Sequence, residues 1–148
     1  METKIPPPIV TLAFGLLIYF SKGIFPVIDN KLTFYVGIIL MFLGFFIFIS
    51  AVKSFRRSKT TVNPLNPEQA TKLVTDKIFM YSRNPMYLGM TTILASIALF
   101  FNLIGGIIFI ALFCTYITKY QIIPEEKVMK NLFTDEFDEY KKTTRRWI

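Results

Sequence analysis

Seven consecutive residues, Arg83-Asn84-Pro85-Met86-Tyr87-Leu88-Gly89, set a cation, a helix start and a glycine at the point where a hydrophobic segment begins. Asn is a favoured N-cap and Pro a favoured first helical residue, so Asn84 and Pro85 predict a helix whose first free N–H groups face water. Such an end attracts anionic or polar ligand groups. One hydrophobic hairpin later, Pro124-Glu125-Glu126 brings two carboxylates to the expected depth of that helix start. Each residue has an ordinary use on its own. Arg83 serves as a headgroup or topology residue, Tyr87 as an interfacial aromatic and Gly89 as a helix-packing glycine. Acids in a first helical turn complement the dipole, and Lys130 lies at i+4 from Glu126. A cation, an aromatic and two carboxylates gathered at one end of one hairpin form a more specific pattern than any member.

The same count of side chains excludes other chemistries. The chain has no histidine and one cysteine, Cys114, so imidazole is missing as a base or metal ligand and no intramolecular disulfide can form. A protein-bound metal is not expected. Cys114 sits in a hydrophobic run and is expected to pack as a small apolar side chain. The net charge of +7 is concentrated between Lys53 and Arg83, where it suits anionic lipid headgroups rather than nucleic acid.

The elements that must position these residues are apolar. Of 148 residues, 53% are hydrophobic and 16% aromatic, mean hydropathy is +0.47, and the apolar residues fall in long blocks. A membrane-spanning helix needs about 20 such residues. Four candidate spans follow, at about 8–25, 32–52, 85–101 and 103–120, the last two forming a tight hairpin through Asn102. A cleaved signal peptide is the rival reading of the first. Lys53, Arg56, Arg57, Lys59, Lys72, Lys77 and Arg83 all fall in the connection 53–84, against Lys22 and Lys31 in the link between the first two spans. The positive-inside rule therefore places that connection and both termini in the cytoplasm. In the tail 121–148, Val128, Leu132, Phe133, Phe137 and Tyr140 share a helical face, predicting an amphipathic helix on or against the membrane domain. The expected fold is an all-α integral membrane protein, one domain over 1–148, with four transmembrane helices and a C-terminal amphipathic cytoplasmic helix.

The motifs resemble those of the integral membrane methyltransferases that include isoprenylcysteine carboxyl methyltransferase and the phospholipid N-methyltransferases. That family carries Arg-His-Pro-x-Tyr-x-Gly, a hydrophobic hairpin, Glu-Glu, and Phe-Gly-x-Glu-Tyr-x-x-Tyr. Here the corresponding stretches are Arg83 to Gly89, Glu125-Glu126, and Phe133-Thr134-Asp135-Glu136-Phe137-Asp138-Glu139-Tyr140. Upstream, Thr71-Lys72-Leu73-Val74-Thr75 and Phe79 resemble the segment that precedes the Arg-His-Pro. The match runs from Thr71 to Trp147 with order and spacing preserved. Asn84 stands at the family's His, Lys77 and Thr134 at two of its glycines, Phe137 at a Tyr, and Gln121 where the prenylcysteine enzymes have a substrate-holding Arg.

The resemblance implies S-adenosylmethionine as cofactor, in a pocket at the cytoplasmic mouth of the hairpin. It assigns that pocket to Thr71, Lys72, Leu73, Val74, Phe79, Arg83, Asn84, Pro85, Met86, Tyr87, Gly89 and Glu126. Catalytic roles fall to Glu125, Glu126 and Tyr87, and acceptor binding to Gln121, Glu125, Arg145 and Arg146. N–H donors at the helix start suit the cofactor's carboxylate or hydroxyls, and Phe79 and Tyr87 suit adenine or a sulfonium. The implied partners are membrane lipids and a lipophilic or amphipathic acceptor, with a phospholipid amine as the alternative to a carboxylate. A nicotinamide-dependent membrane reductase relative and a non-catalytic membrane subunit are the readings outside that class.

Overall fold

The computed structural model describes residues 5–28, 30–58 and 70–148, so Lys59 of the topology argument lies outside the described residues. Among the described residues five α-helices carry the fold: α1 (Pro7–Phe20), α2 (Lys31–Arg57), α3 (Pro85–Phe101), α4 (Leu103–Ile117) and α5 (Ile123–Thr143). No strand occurs among the described residues. Local sequence accounts for several boundaries. Asn30 caps α2, its side chain accepting from the Leu32 N–H at 2.9 Å, and proline opens α1 and α3.

Among the described residues two helices are long and apolar enough to cross a membrane, Lys31–Arg57 and the continuous helix Leu103–Thr143, while α1 and α3 are shorter apolar helices. The expected boundaries at 8, 32, 85, 101 and 103 lie within one residue of observed helix ends, whereas α1 stops at Phe20 rather than 25 and α2 continues past 52 to Arg57. The expected break between the fourth span and the tail does not occur. Instead α4 passes through a π-helical turn, Thr118–Ile122, directly into α5, with Pro124 placed just after that turn. The direction changes later, at Thr134, whose φ of 31° departs from helical geometry inside α5.

Helix α3 is central, in contact with α2 on one side and with α1 and α4 on the other. Its approach to α2 is backbone to backbone: a Cβ on Gly89 would lie 2.8 Å from the Gly44 carbonyl oxygen, and one on Gly44 would lie 2.9 Å from that of Gly89. Small residues let helices approach without water-driven burial. Ser96 Oγ ties the same pair by donating to the Gly37 carbonyl at 2.6 Å. At the far end of α3, Asn102 is 1% exposed and performs two tasks. Its Oδ1 accepts from the Gly105 N–H at 2.7 Å, capping α4, while Nδ2 donates to Phe25 O at 3.0 Å and Pro26 O at 3.3 Å. The hairpin tip is thereby fastened to the chain that leaves α1.

Two apolar clusters result. One joins α1, α3 and α4 through Val10, Ile18, Leu94, Phe113 and Ile117. The other joins the end of α2, residues 73–79 and α5 through Ala51, Leu73, Val74, Phe79, Phe137 and Tyr140. Phe42 and Phe46 on α2 remain 72% and 67% exposed, an outward apolar face suited to lipid.

Candidate active site

A cavity of about 370 Å³ opens at the starts of α1, α3 and α5, between the two clusters. That is within the size range of small-molecule sites, roughly 300–1,000 Å³. Its wall is mainly apolar, with Phe55, Phe79, Met86, Met90, Met129 and Phe137 among its residues and Pro6 to Pro8 closing the α1 side. The polar groups are few and convergent: Lys72, Arg83, Asn84, Tyr87, Glu125, Glu126 and Tyr140.

Tyr87 and Glu125 form one pair. Tyr87 lies in the first turn of α3 and is 6% exposed, and its Oη donates to Glu125 Oε1 at 2.6 Å. Glu125 is partly buried in the first turn of α5, where it lines the cavity. Burial pushes its pKa up to about 7; the Tyr87 hydrogen bond opposes this and the neighbouring Glu126 charge adds to it. A carboxyl group that titrates near neutral pH can take or give a proton under working conditions.

Glu126 differs from its neighbour. Its Oε1 accepts from Arg83 Nη2 at 2.9 Å and Arg146 Nε at 3.1 Å, and its Oε2 accepts from Arg146 Nη2 at 2.7 Å. Burial alone would raise its pKa, but these charge-assisted bonds outweigh burial and hold it below the usual carboxylate value. Two adjacent acids in one helical turn thus have pKa values driven in opposite directions, one by an apolar wall and one by two guanidinium groups.

The local backbone explains how Arg83 reaches that position. A short 3-10 turn, Lys77–Met80, leads into it, with Lys77 at φ 54°. Tyr140 Oη fastens the turn by donating to Phe79 O at 2.6 Å, and burial raises that hydroxyl's pKa. The segment after α5 then pairs with residues 82–84. Arg83 N–H donates to Arg145 O at 3.0 Å, Arg83 Nη1 to Thr144 O at 2.6 Å, and Asn84 Nδ2 to Arg146 O at 2.9 Å.

Of the residues expected to bind cofactor, Lys72, Leu73, Val74, Phe79, Arg83, Asn84, Pro85, Met86, Tyr87 and Glu126 all line the cavity, as does Glu125. Thr71 and Gly89 do not line it; Gly89 instead packs α3 on α2. Asn84 occupies the N-cap position without capping, because its side chain is turned to Arg146. The i+4 pairing of Glu126 with Lys130 is replaced by the two arginines, and Lys130 pairs with Asp138 at 3.6 Å.

The residues expected to bind the acceptor are mostly elsewhere. Gln121 is 1% exposed in the π-helical turn and donates to Ile5 O at 2.8 Å, away from the cavity lining. Arg145 is exposed and contributes its carbonyl, and Arg146 faces Glu126. Sequence reasoning missed the walls supplied by Pro6 to Pro8, Phe55, Met90 and Met129. The run of three prolines ahead of a hydrophobic block was the one visible signal among them. No group of three or more potential metal-binding side chains occurs among the described residues.

The model of the phospholipid methyltransferase family matches residues 32–136, from the start of α2 past the kink in α5. That range includes every polar residue of the cavity except Tyr140. No curated protein and no solved structure matches the chain significantly.

Proposed function

The chain belongs to the phospholipid methyltransferase family, and from that premise we propose that it is an S-adenosylmethionine-dependent methyltransferase of the membrane whose acceptor is the amine of an amphipathic lipid. The observation that carries the acceptor is the state of the charges. Arg83 and Arg146 are both bound to Glu126, and Gln121 is turned to the Ile5 carbonyl, so both guanidinium charges are already balanced by a carboxylate and Gln121 brings none to an acceptor carboxylate. Glu125 by contrast faces the cavity with Tyr87 as its only hydrogen-bond partner among the described residues, a setting for a cation. Lys72 lines the cavity, is exposed and suits the phosphate of such an amphiphile.

The residues present fit the cofactor. Aromatic walls at Phe79 and Phe137 suit a flat base, and the carboxylates suit a cationic sulfur. Arg83 Nε is buried without a hydrogen-bond partner among the described residues and can donate to a carboxylate. When bound, S-adenosylmethionine supplies an electrophilic methyl group on a sulfonium. Methyl transfer is an in-line displacement, so the protein's work is alignment, exclusion of water and management of one proton. An ammonium acceptor has no lone pair until it loses a proton. Glu125 Oε is the acceptor for that proton, and Tyr87 Oη keeps the carboxylate aimed into the cavity. The apolar wall excludes water, and an arrangement with lipid beside the helices gives an amphiphile a lateral path to a cofactor from the cytosol.

In this reading all four apolar helices cross the bilayer, with the cavity at their cytoplasmic ends and both termini in the cytoplasm. α1 and α3 reach across with the help of the flanking turn Ser21–Gly23 and the Asn102 tip. Isothermal calorimetry of the full chain in detergent tests the cofactor: S-adenosylhomocysteine binds, and no binding at millimolar concentration sinks the reading. Binding of a nicotinamide dinucleotide instead moves the chain to the reductase relatives. Labelled methyl transfer to vesicles containing phosphatidylethanolamine, set against a prenylated cysteine, decides between amine and carboxylate.

A further inference from the structure

The segment Thr144–Trp147 follows α5 and lies outside the range matched by the family model. Three of its backbone carbonyls accept from residues 82–84: Thr144 O from Arg83 Nη1, Arg145 O from Arg83 N–H, and Arg146 O from Asn84 Nδ2. Ser82 Oγ adds a longer contact to Arg146 O at 3.4 Å, and Trp147 packs against the cluster that contains Tyr87 and Ile122. The Arg146 guanidinium grips both oxygens of Glu126, while its own side chain remains 38% exposed. Five of these polar contacts reach Arg83, Asn84 and Glu126 of the cavity wall, although the segment itself does not line it.

We infer that Thr144–Trp147 is a clasp that completes the ligand cavity, and that Arg146 is a positioning residue acting through Glu126. The physical case rests on what the clasp restrains. Arg83, Asn84 and Glu126 all line the cavity, and each has its side chain held by this segment. Arg83 would otherwise be a long, rotamer-rich side chain with only Glu126 to bind it, and ordering it on ligand binding would cost affinity. A bidentate guanidinium–carboxylate contact fixes direction as well as distance, which an ammonium group in its place does not. With both oxygens of Glu126 occupied, the proton transfer is also confined to Glu125.

This inference rests on the cofactor reading above, and the test separates the two. Full-length chain in detergent is titrated with S-adenosylhomocysteine at a temperature well below unfolding, using the unaltered protein and the variants Arg146→Gln, Arg146→Lys, Glu126→Gln, the double Arg146→Gln/Glu126→Gln and the surface control Lys142→Gln. Arg146→Gln is expected to weaken binding by at least about tenfold, the scale of one lost charge-assisted hydrogen bond. Arg146→Lys is expected to recover part of the loss, and Lys142→Gln to match the unaltered chain. The double variant should bind no worse than Glu126→Gln alone, because the two residues act as one unit. Binding by Arg146→Gln within about twofold of the unaltered chain overturns the clasp, as does a double variant whose losses add. If Arg146→Gln fails to fold, Arg146→Lys decides: affinity equal to the unaltered protein refutes positioning by a bidentate grip. Should the unaltered chain bind no S-adenosylhomocysteine, the cofactor reading falls first and the clasp with it.

Discussion

Tyr87 Oη donates a 2.6 Å hydrogen bond to Glu125 Oε1, joining the first turn of α3 to the first turn of α5 across the mouth of the apolar α3–α4 hairpin. Replacing Glu125 by Gln keeps the shape and a hydrogen-bonding group but removes the proton acceptor. Methyl transfer should fall by about 10²–10⁴-fold, the usual contribution of a general base. Binding of S-adenosylhomocysteine should be retained. Tyr87→Phe should cost less in rate, because the carboxylate survives and only its aim is loosened. An assay of labelled methyl incorporation checks both, and transfer at the normal rate by Glu125→Gln refutes the assignment.

The raised pKa of Glu125 has two consequences with opposite signs. As a base it must be ionised, so the transfer rate should rise with pH and level off above about 7. Stability should move the other way. The folded state holds the proton up to about pH 7 while the unfolded chain loses it near 4.5. Stabilisation from this group is therefore present in full below about pH 4.5 and is lost as pH rises through about 7. Thermal unfolding of the unaltered chain against Glu125→Gln over that window should show the difference narrowing or inverting as pH rises, and parallel curves would contradict it.

Lys77 and Thr134 are the two non-glycine residues with positive φ among the described residues, at 54° and 31°. Both occupy positions where the resembled motif has glycine. Such backbone conformations favour glycine, and holding them with a side chain costs roughly 1–3 kcal/mol per residue. Glycine carries its own entropic cost, so Lys77→Gly should stabilise by only about 0.5–1 kcal/mol. Thr134→Gly should gain more, because a β-branched side chain tolerates that region least. Melting temperature in detergent checks both, and a decrease for either variant refutes the strain.

Asn102 provides a contrast at the opposite end of α3. Asn102→Ala removes the α4 cap and both bonds to the segment after α1, and strands a buried N–H and two carbonyls. A loss of about 1–3 kcal/mol is expected. Binding of S-adenosylhomocysteine at low temperature should be unchanged, since the residue does not line the cavity.

Gly89 shows how a motif residue can serve a site without touching it. Gly89→Ala puts a methyl group 2.8 Å from the Gly44 carbonyl oxygen and 2.9 Å from Phe48 N, both backbone atoms that cannot step aside. Stability should drop by about 1–3 kcal/mol. A variant with unaltered melting would mean that α2 and α3 are not locked at this crossing.

Much of the architecture was legible in the chain alone, because apolar runs, prolines and asparagines act locally. The starts of α2, α3 and α4 follow from where the apolar blocks begin, and the Arg83 to Gly89 and Glu125-Glu126 stretches contribute to one cavity at one end of the α3–α4 hairpin. Tertiary structure alone decided what each polar group does there. Whether a glutamate is a base or a counter-ion depends on which partners come within about 3 Å. The partners of Glu126 come from residues 83 and 146, far apart in sequence. Identical neighbours in one helical turn, Glu125 and Glu126, were indistinguishable as letters. An apolar wall on one side and two guanidinium groups on the other gave them opposite pKa shifts. Gln121 was turned away from the site in the same manner, by a π-helical turn that no local residue preference announces.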